Sequence, residues 1–174
     1  MAWTSRHRFR RLYESEFRQP QDLPTLPSDY ISFLNKFNGV KFETGLKIDV
    51  YSGMTAPPEN PLDWFVLSVL YGTCSDEEDD FLDLVRCQND YHFSKWNKGK
   101  LVSIGGTHSF NELCLSIREE DFGSVYHWQF PSDSPTEADL AGEEWRDFTL
   151  EKLAASFSEF WGKLDLFAIP DSET

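Results

Sequence analysis

The chain has 174 residues and a formal net charge of −14 at pH 7, a balance that disfavours binding to nucleic acid or to an anionic membrane surface. Aromatic residues make up 16% of the chain and no apolar run approaches the length of a membrane span, so we expect one globular domain outside the membrane. Three widely spaced cysteines argue against a disulfide framework or a zinc cluster and for a reducing compartment, so we expect a cytoplasmic protein.

The N-terminal segment is rich in arginine but lacks the apolar core of a secretory signal, and the acidic residues inside it are unlike a mitochondrial presequence. Apolar residues recur in it at helical spacing, at Phe9, Leu12, Tyr13 and Phe17. We therefore predict an amphipathic N-terminal helix that, together with a proline-containing connector, occupies residues 1–25.

A second helix is predicted to begin near Pro27, which suits the first turn of a helix, and to end at Asn38-Gly39. Apolar residues lie at i, i+3, i+4 and i+7 in this segment, at Tyr30, Phe33, Leu34 and Phe37. An aromatic stripe at this spacing is far more often core than part of a cofactor site, so we assign these residues to the core.

Two regions after this helix have the pattern of strands. Between Lys41 and Gly53, Leu46, Ile48 and Val50 alternate with polar residues, which predicts one or two short strands. The segment from Trp64 to Tyr71 is almost continuously apolar and rich in strand formers, so we predict an interior strand there.

Five consecutive acids follow Ser75, namely Asp76, Glu77, Glu78, Asp79 and Asp80. Ser75 and Glu78 have the spacing of a capping box, so we predict that the run opens a helix whose apolar face begins at Phe81. A calcium-binding EF-hand loop would need acids at alternate positions, a glycine at the sixth and a glutamate at the twelfth, and the run lacks that pattern. We interpret the run as a solvated acidic surface that faces a partner.

The stretch from Leu101 to Phe130 predicts three strands of an antiparallel sheet. Gly105-Gly106 is expected to end the first of them in a tight turn. Aliphatic residues alternate in the second strand at Leu113, Leu115 and Ile117, and aromatic residues alternate in the third at Tyr126, Trp128 and Phe130. We expect these two rows to face each other on the one buried face of the sheet.

A last helix is predicted after Ser156, which forms a second capping box with Glu159. Its apolar face is made of Phe157, Phe160, Trp161 and Leu164. The polar residues 131–144 before it are expected to form an excursion from the domain, and residues 168–174 a tail.

No motif for a phosphate loop, a zinc protease or a serine hydrolase occurs in the chain. Cys114 and His127 lie on adjacent predicted strands and, if the two rows face each other, would share the opposite side of the sheet. Cross-strand neighbours of these types are usually structural, so we predict neither an enzyme nor a bound cofactor or metal.

Three pieces of the chain together carry a family resemblance. The central one is an I-G-G-T strand end at 104–107, an L-x-L-x-I strand at 113–117 and G-S-V-Y-x-W at 123–128. The others are Leu26-Pro27-Ser28-Asp29-Tyr30 leading to Asn38-Gly39, and Ser156-Phe157-Ser158-Glu159-Phe160. In this order and spacing they resemble the SUKH superfamily, which includes fungal cell-wall assembly regulators and many bacterial immunity proteins. At Thr107-His108-Ser109 the chain departs from the Asp-Gly-type turn of many members.

The resemblance implies a single α+β domain over residues 26–167, with a mainly antiparallel sheet and helices packed on one face. It also implies an immunity protein, which binds a cognate toxin without chemistry, and the acidic surface agrees with a basic, nuclease-type toxin. The alternative is a regulatory interaction module of the cell-wall regulator type, although the compact chain favours immunity. We expect a monomer whose partner surface is the acidic run, extended by Glu119, Glu120 and Asp121 on the hairpin loop.

Overall fold

The computed structural model describes residues 9–12, 16–21, 23–49, 64–73, 84–85, 100–106, 112–128 and 150–164, and for 43–49 and 64–66 only the backbone. In these ranges the chain forms a seven-stranded sheet in which strand order follows chain order. The strands are β1 (Phe9–Arg11), β2 (Val40–Asp49), β3 (Trp64–Leu70), β4 (Leu101–Gly106), β5 (Glu112–Ser116), β6 (Val125–Trp128) and β7 (Leu150–Ala154). The helices are α1 (Ser28–Phe37) and α2 (Phe157–Gly162).

Every pair of neighbouring strands in the sheet is antiparallel, and both helices contribute to the same core cluster. The predicted α+β fold with an antiparallel sheet is therefore confirmed. The longest helix among the described residues is α1, with ten residues, and no described helix has the length and apolar character needed to cross a membrane.

Helix α1 forms where the sequence predicts it. Its buried side chains are Tyr30, Phe33 and Leu34, which lie on one face of the helix. The helix ends at Asn38, which takes the left-handed conformation with φ 45°, and the next residue, Gly39, has φ 84°. A Cβ on Gly39 would lie 2.8 Å from the backbone nitrogen of Gly72, so this turn requires glycine for space as well as for conformation.

The two helices meet through aromatic rings. The ring of Phe33 lies 4.9 Å from that of Phe157 and 5.1 Å from that of Trp161, measured between centroids. Tyr30 contacts Phe157 at 4.8 Å in an edge-to-face arrangement. All four side chains are buried, so this aromatic cluster is the centre of the core on the helix side of the sheet.

The predicted N-terminal helix is wrong for residues 9–11, because they form the edge strand β1 beside β2. Phe9 is paired with Phe42, and its ring also lies 5.5 Å from the rings of Phe37 and Trp161. Phe9, Leu12 and Phe17, whose spacing indicated a helix, pack against the main core cluster. A local sequence pattern cannot reveal such long-range contacts. The boundaries at residues 25 and 167 remain predictions.

The predicted tight turn at Gly105-Gly106 is also wrong, since both glycines lie inside β4 and pair with Leu70 and Val69 of β3. A Cβ on Gly105 would lie 2.4 Å from the carbonyl oxygen of Val69. Glycine is needed here because two backbones approach closely, and not because the chain turns.

The expectation that aliphatic and aromatic rows share one buried face is wrong as well. Leu113 and Leu115 belong to the helix-side core, whereas Trp128 packs with Leu101, Cys114 and Leu150 in a second cluster. Trp128 is 4% exposed. Strands β4 to β6 are therefore buried on both faces, and the two rows lie on opposite sides of the sheet.

Candidate partner-binding surface

The best-described part of the predicted partner surface is the hairpin loop between β5 and β6, residues 117–124. It contains a 3-10 turn, Glu119–Asp121, followed by Phe122 and by Gly123 with φ 87°. Backbone hydrogen bonds close the loop, from Ser116 N–H to the carbonyl of Ser124 at 2.8 Å and from Gly123 N–H to that of Ser116 at 2.8 Å. The predicted hairpin with a glycine near its end is confirmed.

Asp121 holds the loop from inside. Its carboxylate accepts hydrogen bonds from the hydroxyls of Ser116 and Tyr126 and from the guanidinium of Arg118, whose Nε lies 3.0 Å from Oδ1. The side chain of Asp121 is 13% exposed and that of Arg118 is 20% exposed. This acid, predicted from sequence as a binding residue, makes its hydrogen bonds to the loop and to the two strands that flank it.

The protonation states of this network are fixed by its contacts. Burial alone would raise the pKa of Asp121, but the hydrogen bonds from Arg118, Ser116 and Tyr126 outweigh it and lower the pKa to about 2. Burial, and then the hydrogen bond to Asp121, raise the pKa of Tyr126 to about 12. The hydrogen bond to Asp121 also raises the pKa of Arg118. The loop therefore keeps one partly buried ion pair across the physiological pH range.

Three side chains of the loop, those of Glu119, Glu120 and Phe122, face solvent. Glu119 and Glu120 are exposed, and Glu120 lies 3.8 Å from Arg118 with a side chain that is 72% exposed. Phe122 is 47% exposed and is the single large hydrophobic residue classed as exposed in the described part of the chain. With Arg118 matched to Asp121, the two glutamates leave the loop a net charge of −2.

The loop also lies beside the start of α1. A Cβ on Gly123 would lie 3.4 Å from Cγ of Pro27, the residue that precedes the helix, so the two segments are neighbours in space. Two pieces of the sequence that carried the family resemblance, the Leu26–Tyr30 and Gly123–Trp128 segments, therefore meet at this point.

The other predicted partner residues, Asp76 to Asp80, lie outside the described residues, as does Ser75 of their capping box. Leu84, from the apolar face predicted to follow them, is fully buried. That the acidic run and the hairpin loop lie on one face remains a prediction.

The Cys114–His127 pair is not a catalytic dyad. Cys114 is paired with Tyr126 and His127 with Leu113, so the two side chains point to opposite faces of the sheet. Burial, and then the charge of Glu112, raise the pKa of the Cys114 thiol, which therefore stays protonated. Burial lowers the pKa of His127 to about 4. These are core residues.

Sequence reasoning missed two features of this region. Glu112 accepts hydrogen bonds from Ser103 at 2.6 Å and from the Tyr71 hydroxyl at 3.3 Å, which makes it a structural acid at the start of β5. Phe122 lies in a polar loop, outside either alternating row, so periodicity does not single it out. A large apolar residue in an otherwise polar loop is the signal that could have found it.

Among the described residues, no group of three or more histidine, cysteine, aspartate or glutamate side chains is arranged to hold a metal ion. A family model described as the SMI1/KNR4 family (SUKH-1) matches residues 21–163, which is most of the chain. A search of curated proteins found no match, and neither did a search of solved structures.

Proposed function

The chain belongs to the SMI1/KNR4 (SUKH-1) family, and from this we propose that it is an immunity protein that binds and blocks a cognate toxin without chemistry. The partner is a basic protein, most simply a nuclease whose substrate groove attracts phosphates. An acidic inhibitor occupies such a groove by offering carboxylates where the phosphates would lie.

The observation that carries the proposal is the charge. A net charge of −14 costs stability through mutual repulsion, and it raises the rate at which a basic partner is encountered. The described hairpin loop adds to this, because it neutralises its one arginine internally and turns its remaining acids outward. A binding role explains both features.

The test begins with the neighbouring gene, which should encode a large protein with a C-terminal toxin domain. Production of that toxin domain in a bacterial host should stop growth, and co-production of this protein should restore it. In vitro, inhibition by occlusion should be complete at one equivalent of inhibitor, whereas an enzyme that inactivates the toxin would act at substoichiometric amounts.

Two results would contradict the proposal. One is a toxin domain that neither binds this protein nor is inhibited by it. The other is a genomic neighbourhood that encodes no toxin, together with binding to a resident host protein, which would favour the regulatory module instead.

A further inference from the structure

We infer that Phe122 is the apolar anchor of the partner-binding surface, and that Glu119 and Glu120 beside it select a basic partner with an apolar socket. The identity of the partner rests on the proposed function, but the surface itself is argued from the loop. We define the anchor surface as Glu119, Glu120 and Phe122.

The first step is the exposure of Phe122. Its neighbours in the hairpin, from Gly123 to Trp128, are all buried, while Phe122 itself is 47% exposed. A phenylalanine that is half exposed gains only part of the burial free energy that its ring can supply. Polar residues would serve the loop at least as well, so the ring points to a contact made outside this chain.

The second step is the rigidity of the loop. The residues on both sides of Phe122 are held by hydrogen bonds, Asp121 by three side chains and Gly123 by its N–H, which donates to the carbonyl of Ser116 at 2.8 Å. An aromatic side chain on a fixed backbone loses little conformational entropy when it binds, because only its two side-chain torsions become ordered. Aromatic residues, phenylalanine among them, are enriched at the centres of protein interfaces.

The third step is charge. Arg118 is matched by Asp121, and the two exposed acids precede the ring by two and three positions. A partner with a small apolar socket would take up the ring, and lysine or arginine around that socket would pair with the two carboxylates. An arginine side chain can also lie over the face of the ring. The occupant is therefore a basic protein surface and not a hydrophobic groove without charge.

The experiment uses the full chain and measures binding to the purified toxin domain encoded by the neighbouring gene. Phe122→Ala should weaken the complex about thirtyfold, the effect of losing an interface hot spot. Phe122→Leu should restore most of the affinity, since it keeps an apolar side chain. The melting temperatures of both variants should match the wild type, because the ring contributes little to the core.

A double variant, Glu119→Gln with Glu120→Gln, should slow association severalfold and flatten its salt dependence. The matched control is Glu137→Gln with Glu143→Gln, which removes the same charge elsewhere in the sequence. Equal association rates for the two double variants would overturn the role of the glutamates.

The failure of this inference can be told apart from that of the proposed function. If the wild type binds the toxin and Phe122→Ala binds equally well, the anchor is wrong while the immunity role stands. If the wild type does not bind the toxin, a displayed library of random peptides replaces it as the probe. Selection of lysine- and arginine-rich peptides that no longer bind Phe122→Ala supports the surface. Peptides indifferent to Phe122, or no peptides at all, overturn it.

Discussion

The carboxylate of Asp29 in α1 accepts a hydrogen bond from the backbone N–H of Ser158 in α2, at 2.8 Å. Its other oxygen accepts one from the N–H of Tyr30 at 2.9 Å, so a single side chain serves the first turns of both helices. The two residues are 129 positions apart in the chain. Asp29 and Ser158 belong to the first and last of the three pieces that carried the family resemblance. Their hydrogen bond joins the starts of the two helices.

Asp29→Ala should lower the free energy of unfolding by about 1–2 kcal/mol, because two backbone donors at helix starts lose their acceptor. Urea unfolding monitored by tryptophan fluorescence measures the change. Glu16→Ala is the control, since Glu16 is exposed, and it should change stability by less than about 0.5 kcal/mol. Equal losses in the two variants would mean that the hydrogen bond to Ser158 contributes nothing.

Asp121→Asn should destabilise the protein by about 1–3 kcal/mol, because Arg118 and Tyr126 lose a charged acceptor in a mostly buried position. Glu120→Gln removes the same charge from the neighbouring residue, whose side chain is exposed, and should leave the free energy of unfolding unchanged. Equilibrium unfolding of the two variants distinguishes a structural acid from a surface acid. A neutral effect of Asp121→Asn would return this residue to the partner surface.

Gly105→Ala should cost about 1–3 kcal/mol, because the added Cβ would meet the carbonyl oxygen of Val69 at 2.4 Å. Gly162→Ala is the matched substitution at the end of α2, where a Cβ meets nothing within 4 Å. It should stabilise the protein by about 0.5 kcal/mol, since alanine reduces the entropy of the unfolded chain. Thermal unfolding of both should show shifts of opposite sign, and a stable Gly105→Ala would contradict the close approach of β3 and β4.

Stability should fall on acidification because of His127. Burial lowers its pKa from 6.5 to about 4, so between these values the unfolded chain takes up a proton that the folded protein does not. The contribution is unchanged above pH 6.5 and is lost progressively down to pH 4, by about 3 kcal/mol in total. His127→Leu should remove this component from the pH profile of unfolding. An identical slope in the variant over that window would refute a buried neutral imidazole.

The role of the acidic run, residues 76–80, can be tested independently of the hairpin loop. Neutralising Asp76, Glu77, Glu78, Asp79 and Asp80 should leave the melting temperature unchanged or higher, because like charges repel one another. It should also slow association with the basic partner more than neutralising distant acids does. Two charge-matched variants make the comparison. One neutralises Asp76, Glu77 and Asp79 in the run, and the other neutralises Glu137, Asp139 and Glu143. Equal rates for that pair would leave the hairpin loop as the binding surface.

Helix α1 could be predicted with both of its ends, and α2 with its start, because the signals are local. The apolar spacing, the left-handed Asn38 and the Ser156 side chain that accepts from Glu159 N–H at 3.1 Å all lie within a few residues of one another. The loop at residues 117–124 was equally predictable as a hairpin, since two alternating segments flank a polar stretch with a glycine.

The hairpin was predictable, but the orientation of each acidic side chain in it was not. Three acids in a row look alike in sequence, yet Asp121 turns inward and the two glutamates turn outward. The distinction depends on Ser116, Arg118 and Tyr126, whose positions around the carboxylate are set by the pairing of β5 with β6.

The amino-acid pattern alone was enough to predict α1, the start of α2, the hairpin at residues 117–124 and the acidic balance, because periodicity, capping and charge are properties of short segments. Which face of β6 joins which face of β5, and that residues 9–11 form a strand, became known from the folded structure alone. An alternating pattern defines two faces without saying which one meets the helices, and the register Leu113 with His127 supplies that information. Register and edge pairing depend on partners far along the chain, so no window of residues contains them.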